Sequence, residues 1–250
     1  MKKIVLSVLT IIFSGQILFA QENVSGTPIT KNSNLNELKV NLFAFALKSV
    51  SVQYEREISR KTTVALTFRV MPQSTLPFKS SFKNLISDTA TANQLDNFKT
   101  ANVALMPSIR FYLGHKGAYH GFYIAPFFTY AHYTADLLYK YYDGDYKTIP
   151  LSGSMNSFTG GFMLGAQWNL SKSLYLDWWI LGPHYGVSKG SANGKKSLSP
   201  TEQDALKYDL DNLNIPLTKT TSTVDANGAN VDFSGPWAGI RGGLCIGIRF

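Results

Sequence analysis

Few side chains in this sequence stand where they could do chemistry, and those that do fall into three sets. His132 and Asp136 sit four residues apart and pair an imidazole with a carboxylate, as general-base catalysis requires. Serines are plentiful, yet none lies in a nucleophile motif, so the pair alone assigns no catalytic residue. Asp143-Gly144-Asp145 offers two carboxylates on a sharp bend, which suits calcium, but it lacks the spacing and closing glutamate of a calcium loop and reads as a solvated turn. The four histidines show no metal-ligand spacing, and no metal or cofactor is assigned. The third set holds charges embedded in otherwise apolar, alternating stretches: Glu55, Arg69, Arg110, Asp177, Arg241 and Arg249, with Gln53 and Gln167 beside them.

That third set needs elements of period two to position it. Val64, Leu66, Phe68 and Val70 share one strand face while Thr63, Ala65, Thr67 and Arg69 share the other. Phe158, Phe162, Leu164, Ala166, Trp168 and Leu170 oppose Thr159, Met163, Gln167 and Asn169; Ile240, Leu244, Ile246, Ile248 and Phe250 oppose Arg241, Cys245 and Arg249. A soluble lipocalin-like barrel would turn the apolar face inward, around a ligand, and is the structural rival. Here the polar faces carry opposite charges, so the polar face is placed inside and the apolar face outside. Buried charges are tolerated when paired, which predicts Glu55 and Asp177 bracketed by arginines. Such a set forms either an ion path or a plug of salt bridges, and the narrow interior of a small barrel favours the plug.

The sequence predicts eight strands, at about 38–46, 49–58, 62–71, 100–113, 119–133, 157–170, 174–187 and 234–250. Turns at 59–61, 114–118 and 171–173 are tight, whereas 72–99, 134–156 and 188–233 are long. This alternation fits an all-β, antiparallel, up-and-down transmembrane barrel with short periplasmic turns and long extracellular loops. Phe111, Tyr112, Phe122 and Tyr123, with Trp168, Tyr175 and Phe250, are placed in one aromatic girdle, and Tyr130, Tyr133 and Tyr185 in the other. Pro107, Pro126 and Pro183 cannot donate to a ladder, so bulges or gaps are expected near them.

Composition narrows the setting. Lys2 and Lys3, the apolar run Ile4–Phe13 and the exit Ala20-Gln21 read as a secretory signal over 1–20, followed by a flexible polar lead over 21–36 and the barrel over 37–250. The formal charge of +8 drops to +6 once Lys2 and Lys3 are removed. The surplus lies in short turns and strand arginines, without the basic stripe that nucleic acid needs. Cys245 is the single cysteine, so no internal disulfide forms, and it is expected to pack inside the barrel. No stretch of the mature chain has the 18 or so apolar residues of a membrane helix. The strand 244–250 ends on Phe250, as outer-membrane barrels do where the insertion machinery reads the last strand.

In the longest loop, Ser199-Pro200-Thr201-Glu202 is a capping box with proline at the first helical position, and Leu206, Leu210 and Leu213 mark one apolar face. A helix over about 200–212, seated on the barrel mouth, is expected. Asp225-Ala226-Asn227-Gly228 predicts a hairpin turn.

The stretches Leu38-Lys39-Val40-Asn41-Leu42, Val50-Ser51-Val52-Gln53-Tyr54-Glu55-Arg56 and Val64-Ala65-Leu66, with Pro107-Ser108-Ile109-Arg110-Phe111-Tyr112-Leu113, resemble a family of small outer-membrane β-barrels of unknown function typical of the Bacteroidota. The architecture resembles OmpA-type barrels. The resemblance spans the mature chain and brings no active site. Taken with the inward charges read above, the expectation is a non-enzymatic protein of the outer membrane, with a structural or surface-binding role and a salt-bridged lumen. Its partners would be outer-membrane lipid and lipopolysaccharide, and the insertion machinery acting through the strand that ends at Phe250; any loop ligand is left open. Two alternatives remain: an enzyme acting on lipid or lipopolysaccharide near His132, and a narrow conduit for small solutes.

Overall fold

The computed structural model describes residues 34–75, 97–212 and 217–250. The expected signal over 1–20, the lead up to residue 33 and residues 76–96 of the expected loop 72–99 lie outside them.

Alternating polar and apolar residues build nine strands. In chain order these are β1 (Asn36–Asn41), β2 (Val50–Ser59), β3 (Thr62–Thr75), β4 (Lys99–Tyr112), β5 (Gly121–Asp143), β6 (Asp145–Asn169), β7 (Leu174–Lys195), β8 (Lys219–Asp225) and β9 (Gly228–Arg249). Among the described residues two helices interrupt them, α1 (Leu42–Ala46) and α2 (Pro200–Asp211). Every pairing is antiparallel, and β1 bonds to both β2 and β9, which closes the sheet into a ring. The circuit runs through β1 to β7 and returns by β9; β8 bonds only to β9, along Gly228–Ser234. The ninth strand is therefore a correction: Lys219–Asp225, expected within a loop, finds a ladder on β9.

The pleat sets which side chains enter the ring. Leu38, Tyr54, Leu66, Phe68, Leu105, Ile109, Phe122, Ile124, Phe162 and Ile248 point outward and are exposed. Glu37, Lys39, Gln53, Glu55, Thr63, Thr67, Gln167 and Asp177 point inward and are buried. This is the inverse of a lipocalin. Four of the tyrosines expected in a girdle also face inward: Tyr112, Tyr123 and Tyr175 are 2 %, 0 % and 3 % exposed, and Tyr133 packs against the buried Ala104, Met106 and Ala131. Tyr112 and Tyr175 share the parity of a lumen charge on their own strands (Arg110 and Asp177), so there strand-end position misled where parity did not. Phe111, Phe122, Trp168 and Phe250 do face outward.

Strand lengths differ sharply around the ring. β1 to β4 have 6, 10, 14 and 14 residues, against 23, 25, 22 and 22 in β5, β6, β7 and β9. The stretches expected as loops, 134–156 and much of 188–233, are in fact continuations of these long strands. The expected strand 38–46 likewise ends at Asn41, whose side-chain oxygen accepts from the Phe43 amide and starts α1. Proline leaves its mark where expected: the β4–β5 ladder skips residues between Leu105 and Ser108, around Pro107, and a bulge in β7 between Trp179 and Gly182 precedes Pro183.

Above the ring, β5, β6, β7, β9 and β8 continue as an open sheet. Its outward face changes character along one register line. Tyr130, Phe158, Val187 and Pro236 are cross-strand partners in sequence, and the next outward set, again mutual partners, is His132, Asn156, Lys189 and Ser234. The inward face becomes apolar over the same span: Tyr141, Ile149, Leu151, Ala229 and Val231 form a second core with Leu198, Leu206 and Leu210. Helix α2 covers this extension rather than the barrel mouth expected for it. Its capping box is formed, with Ser199 Oγ accepting from the Glu202 amide and Glu202 accepting from the Ser199 amide.

Candidate functional site

Lys39, which sequence reasoning passed over, is the centre of the lumen. It is carried inward by β1, the strand that closes the ring, and its Nζ lies 2.6 Å from Glu55 Oε2, 2.7 Å from Asp177 Oδ2 and 3.4 Å from Glu37 Oε2. Arg110, from across the ring on β4, reaches two of these acids: its Nη1 is 2.6 Å from Asp177 Oδ2 and 3.0 Å from Glu55 Oε2. All five side chains are buried. The expected bracketing of Glu55 and Asp177 is thus done by one lysine and one arginine.

Neutral donors complete the shell. Tyr123 donates to Asp177 Oδ1 at 2.7 Å, the Trp179 indole to Asp177 Oδ2 at 3.1 Å and Thr63 to Glu55 Oε1 at 2.5 Å. The Tyr112 hydroxyl lies 2.9 Å from Glu55 Oε1 and 2.7 Å from Gln167 Oε1, and donates to one of them. Gln167 donates to Glu37 Oε2 at 2.7 Å. In a low dielectric such pairing decides whether a charge is tolerated, and here every oxygen of the three carboxylates has a partner except Glu37 Oε1. Gly165 makes room for this arrangement, because a Cβ there would collide with the Tyr123 ring.

The remaining arginines stand apart. Arg249 forms a second ion pair toward the short-turn end, 3.1 Å from Glu57, with its guanidinium over the Tyr119 ring. Arg241 stacks over Trp179 at 4.2 Å and donates to Thr67 Oγ1 at 3.2 Å, and Arg69 donates twice to Asn102 Oδ1. Among the described residues neither Arg69 nor Arg241 has a carboxylate partner. Between Arg110 and Arg241 a cavity of only about 10 Å³ remains, lined by Gln53, Phe127 and Trp179 among others, roughly the space of a single water centre.

The other candidates do not assemble. His132 Nδ1 lies 2.9 Å from Asn156 Oδ1, while Asp136 accepts from Gln73, so the suspected imidazole–carboxylate pair is not made. Asp143-Gly144-Asp145 is the β5–β6 hairpin turn. Gly144 takes a positive φ of 69° there, Asp143 accepts from Lys147 at 2.8 Å and Asp145 accepts from the Tyr146 amide. Cys245 is buried in the lumen wall.

The signal for Lys39 and Glu37 was present: Glu37-Leu38-Lys39-Val40-Asn41 alternates polar and apolar like its partner strands. Reading the first strand from residue 38 on into the apolar run 42–47 hid it.

Residues 17–187 match the family described as Protein of unknown function (DUF3575). No curated protein matches the sequence. Among solved structures, the translocator domain of the autotransporter NalP from Neisseria meningitidis is similar over 87 % of this chain and 88 % of that one, at 13 % identity and a TM-score of 0.29. At that score the likeness carries no argument.

Proposed function

This chain belongs to the DUF3575 family of proteins of unknown function, and on that premise we propose that it is a non-enzymatic outer-membrane β-barrel. Its lumen is sealed, and it holds a capped strand extension outside the cell as a surface for binding. The observation that carries the reading is the inversion of faces: charged groups locked inside, exposed apolar side chains all around the outside. In water that outer surface would aggregate; in lipid it is the required one. On β5 the apolar outward run spans Phe122 to Tyr130, the length that about 9–11 tilted residues need to cross a bilayer. The register line through His132, Asn156, Lys189 and Ser234 marks the exit into the lipopolysaccharide headgroups. The tight turns lie on the periplasmic side, and the last strand, through Phe250, engages the insertion machinery.

The sealed lumen argues for a scaffold over a channel. Fractionation of cells expressing the full chain tests the first part: an outer-membrane band whose mobility shifts on boiling is expected, and a soluble periplasmic product sinks it. Planar-bilayer recording tests the second, where steady single-channel current from the purified barrel defeats the plug. Replacing His132 by alanine is expected to leave the lipid profile of the cell unchanged; an altered acylation pattern revives the enzyme alternative.

A further inference from the structure

Directly above the plug the lumen widens into an apolar vestibule of about 480 Å³, a volume typical of small-ligand sites. Tyr133, Leu137, Leu151, Met155, Phe233 and Trp237 line it, all on the lumen-facing side of their strands. Beside Tyr133 and Trp237, its own polar lining is the hydroxyls of Thr100, Thr134 and Ser154, with no charge; the nearest inward cations, Arg69 and Arg241, lie below it toward the plug. Arg69 is tied to Asn102, which stands opposite Tyr133 in register, and Arg241 shares the inward face of β9 with Trp237, about 13 Å away along the strand. A guanidinium carries five donors; among the described residues, Arg241 uses one and Arg69 directs two at a single oxygen.

Two buried polar atoms between the arginines and the vestibule have no hydrogen-bond partner, Thr159 Oγ1 and His184 Nδ1. His184 stands opposite Gly239, between Arg241 and Trp237 on β9, and Thr159 is level with Trp237 through Gly186. A hydroxyl and an imidazole nitrogen that can each donate, left without partners beside cations that lack a carboxylate, suit an anion. Among the described residues the wall lacks a strand beside β9 at this height, with Asn41 against Gly243 at one end of the gap and Thr218 against Gly235 at the other. β9 pairs with β1 only over Cys245–Arg249 and with β8 only over Gly228–Ser234, so its edge over 235–244 has no strand partner among the described residues. Gly235, Pro236, Gly239, Gly242 and Gly243 populate that edge.

We propose that the vestibule binds a single-chain amphiphile with an anionic head. Its chain lies against Tyr133, Met155, Phe233 and Trp237, its head lies on Arg69 and Arg241, and it enters sideways past the unpaired edge of β9. The site rests on the outer-membrane reading, since its supply is the surrounding leaflet.

The test is saturable binding of radiolabelled dodecanoate to the full chain inserted in phosphatidylcholine nanodiscs, counted against empty nanodiscs. One molecule per barrel is expected at micromolar affinity. Arg69→Gln and Arg241→Gln are each expected to weaken binding at least tenfold, and Ala135→Trp, which fills the cavity, to remove it. Dodecanol, with the same chain and no charge, is expected to compete at least tenfold less well. An inserted, heat-modifiable barrel that shows no binding above empty discs overturns the site alone. So does equal competition by dodecanol, or arginine variants that bind unchanged. A chain that neither inserts nor shifts on boiling defeats the membrane reading and takes the site with it.

Discussion

The barrel and its extension are built from the same strands on opposite packing rules. In the barrel the inward residues of β5 and β6 include Tyr123 and Gln167, which serve a charged network, and the outward ones are Phe122, Ile124, Phe158 and Phe162. Further along the same two strands, with the same parity, the inward residues are Tyr141, Ile149 and Leu151, and Lys140 and Thr148 are carried on the other face. No bend or new element separates the two regimes. The backbone does not know which solvent it faces; the side chains do, and on the proposed outer-membrane reading the switch at His132–Asn156–Lys189–Ser234 is where lipid gives way to water.

The comparison breaks most readily at the charged core, because one missing partner there strands several acids. Lys39→Met leaves Glu55 and Asp177 with Arg110 alone and Glu37 with no cation among the described residues, only the Gln167 amide. Removing one member of a buried ion pair costs about 3–5 kcal/mol. Urea titration of the barrel folded in phosphatidylcholine vesicles, read by the gel shift on boiling, is expected to show a midpoint lowered accordingly. A midpoint unchanged from the parent would mean that the network contributes little and that the outward apolar belt alone holds the ring.

The extension is expected to fail differently. Leu206, wholly buried between α2 and the sheet, is its central side chain. Truncating such a leucine to alanine costs about 2–5 kcal/mol. In Leu206→Ala the loss should stay local: a protease is expected to cleave between 196 and 227 while the barrel keeps its heat-modifiable band. Cleavage accompanied by loss of that band would show the two regions to be one cooperative unit. Gly165→Ala probes the lumen by overpacking instead of deletion. Displacing the Tyr123 ring is expected to cost about 1–3 kcal/mol of barrel stability and to leave protease resistance of the extension unaltered.

These two regions also differ in how far the sequence discloses them. Period-two parity placed Glu55, Arg110 and Asp177 on inward faces because each lies in a strand whose other face is apolar. Lys39 escaped because the apolar run after Asn41 looked like more strand, when Asn41 in fact caps a short helix. Tyr112 was assigned by its position at a strand end, although two residues from Arg110 it must face the same way. The extension was the least legible part. Gly186 to Lys196 is rich in glycine, serine, asparagine and lysine, the composition of a loop, and becomes strand only because β6 and β9 flank it. The α2 cap was readable from Ser199 to Glu202, since its hydrogen bonds are local; its seat was not, since that depends on long-range pairing.

The smallest effects concern that cap, and they sharpen the contrast by being invisible to the barrel. Ser199→Ala removes the oxygen that accepts from the Glu202 amide, a loss of about 1 kcal/mol for an N-cap. Hydrogen exchange of the α2 amides is expected to quicken about fivefold, with the lumen amides unchanged. Acid should act at the same place. The Ser199 amide, first, and the Lys147 ammonium hold the Glu202 carboxyl down at about 2, below its ordinary 4.5. A carboxyl depressed in the folded state stabilises that state fully above its ordinary value and ceases to do so as the pH falls through the depressed one. Protection of α2 should therefore decline between about pH 4.5 and pH 2 and recover on return to neutrality. Glu202→Gln keeps an acceptor for the Ser199 amide but has nothing to titrate, so its α2 exchange should follow the chemical rate smoothly across that window. If the parent and Glu202→Gln show the same acid dependence, the titrating group lies elsewhere, and the cap is held by its leucines rather than by its box.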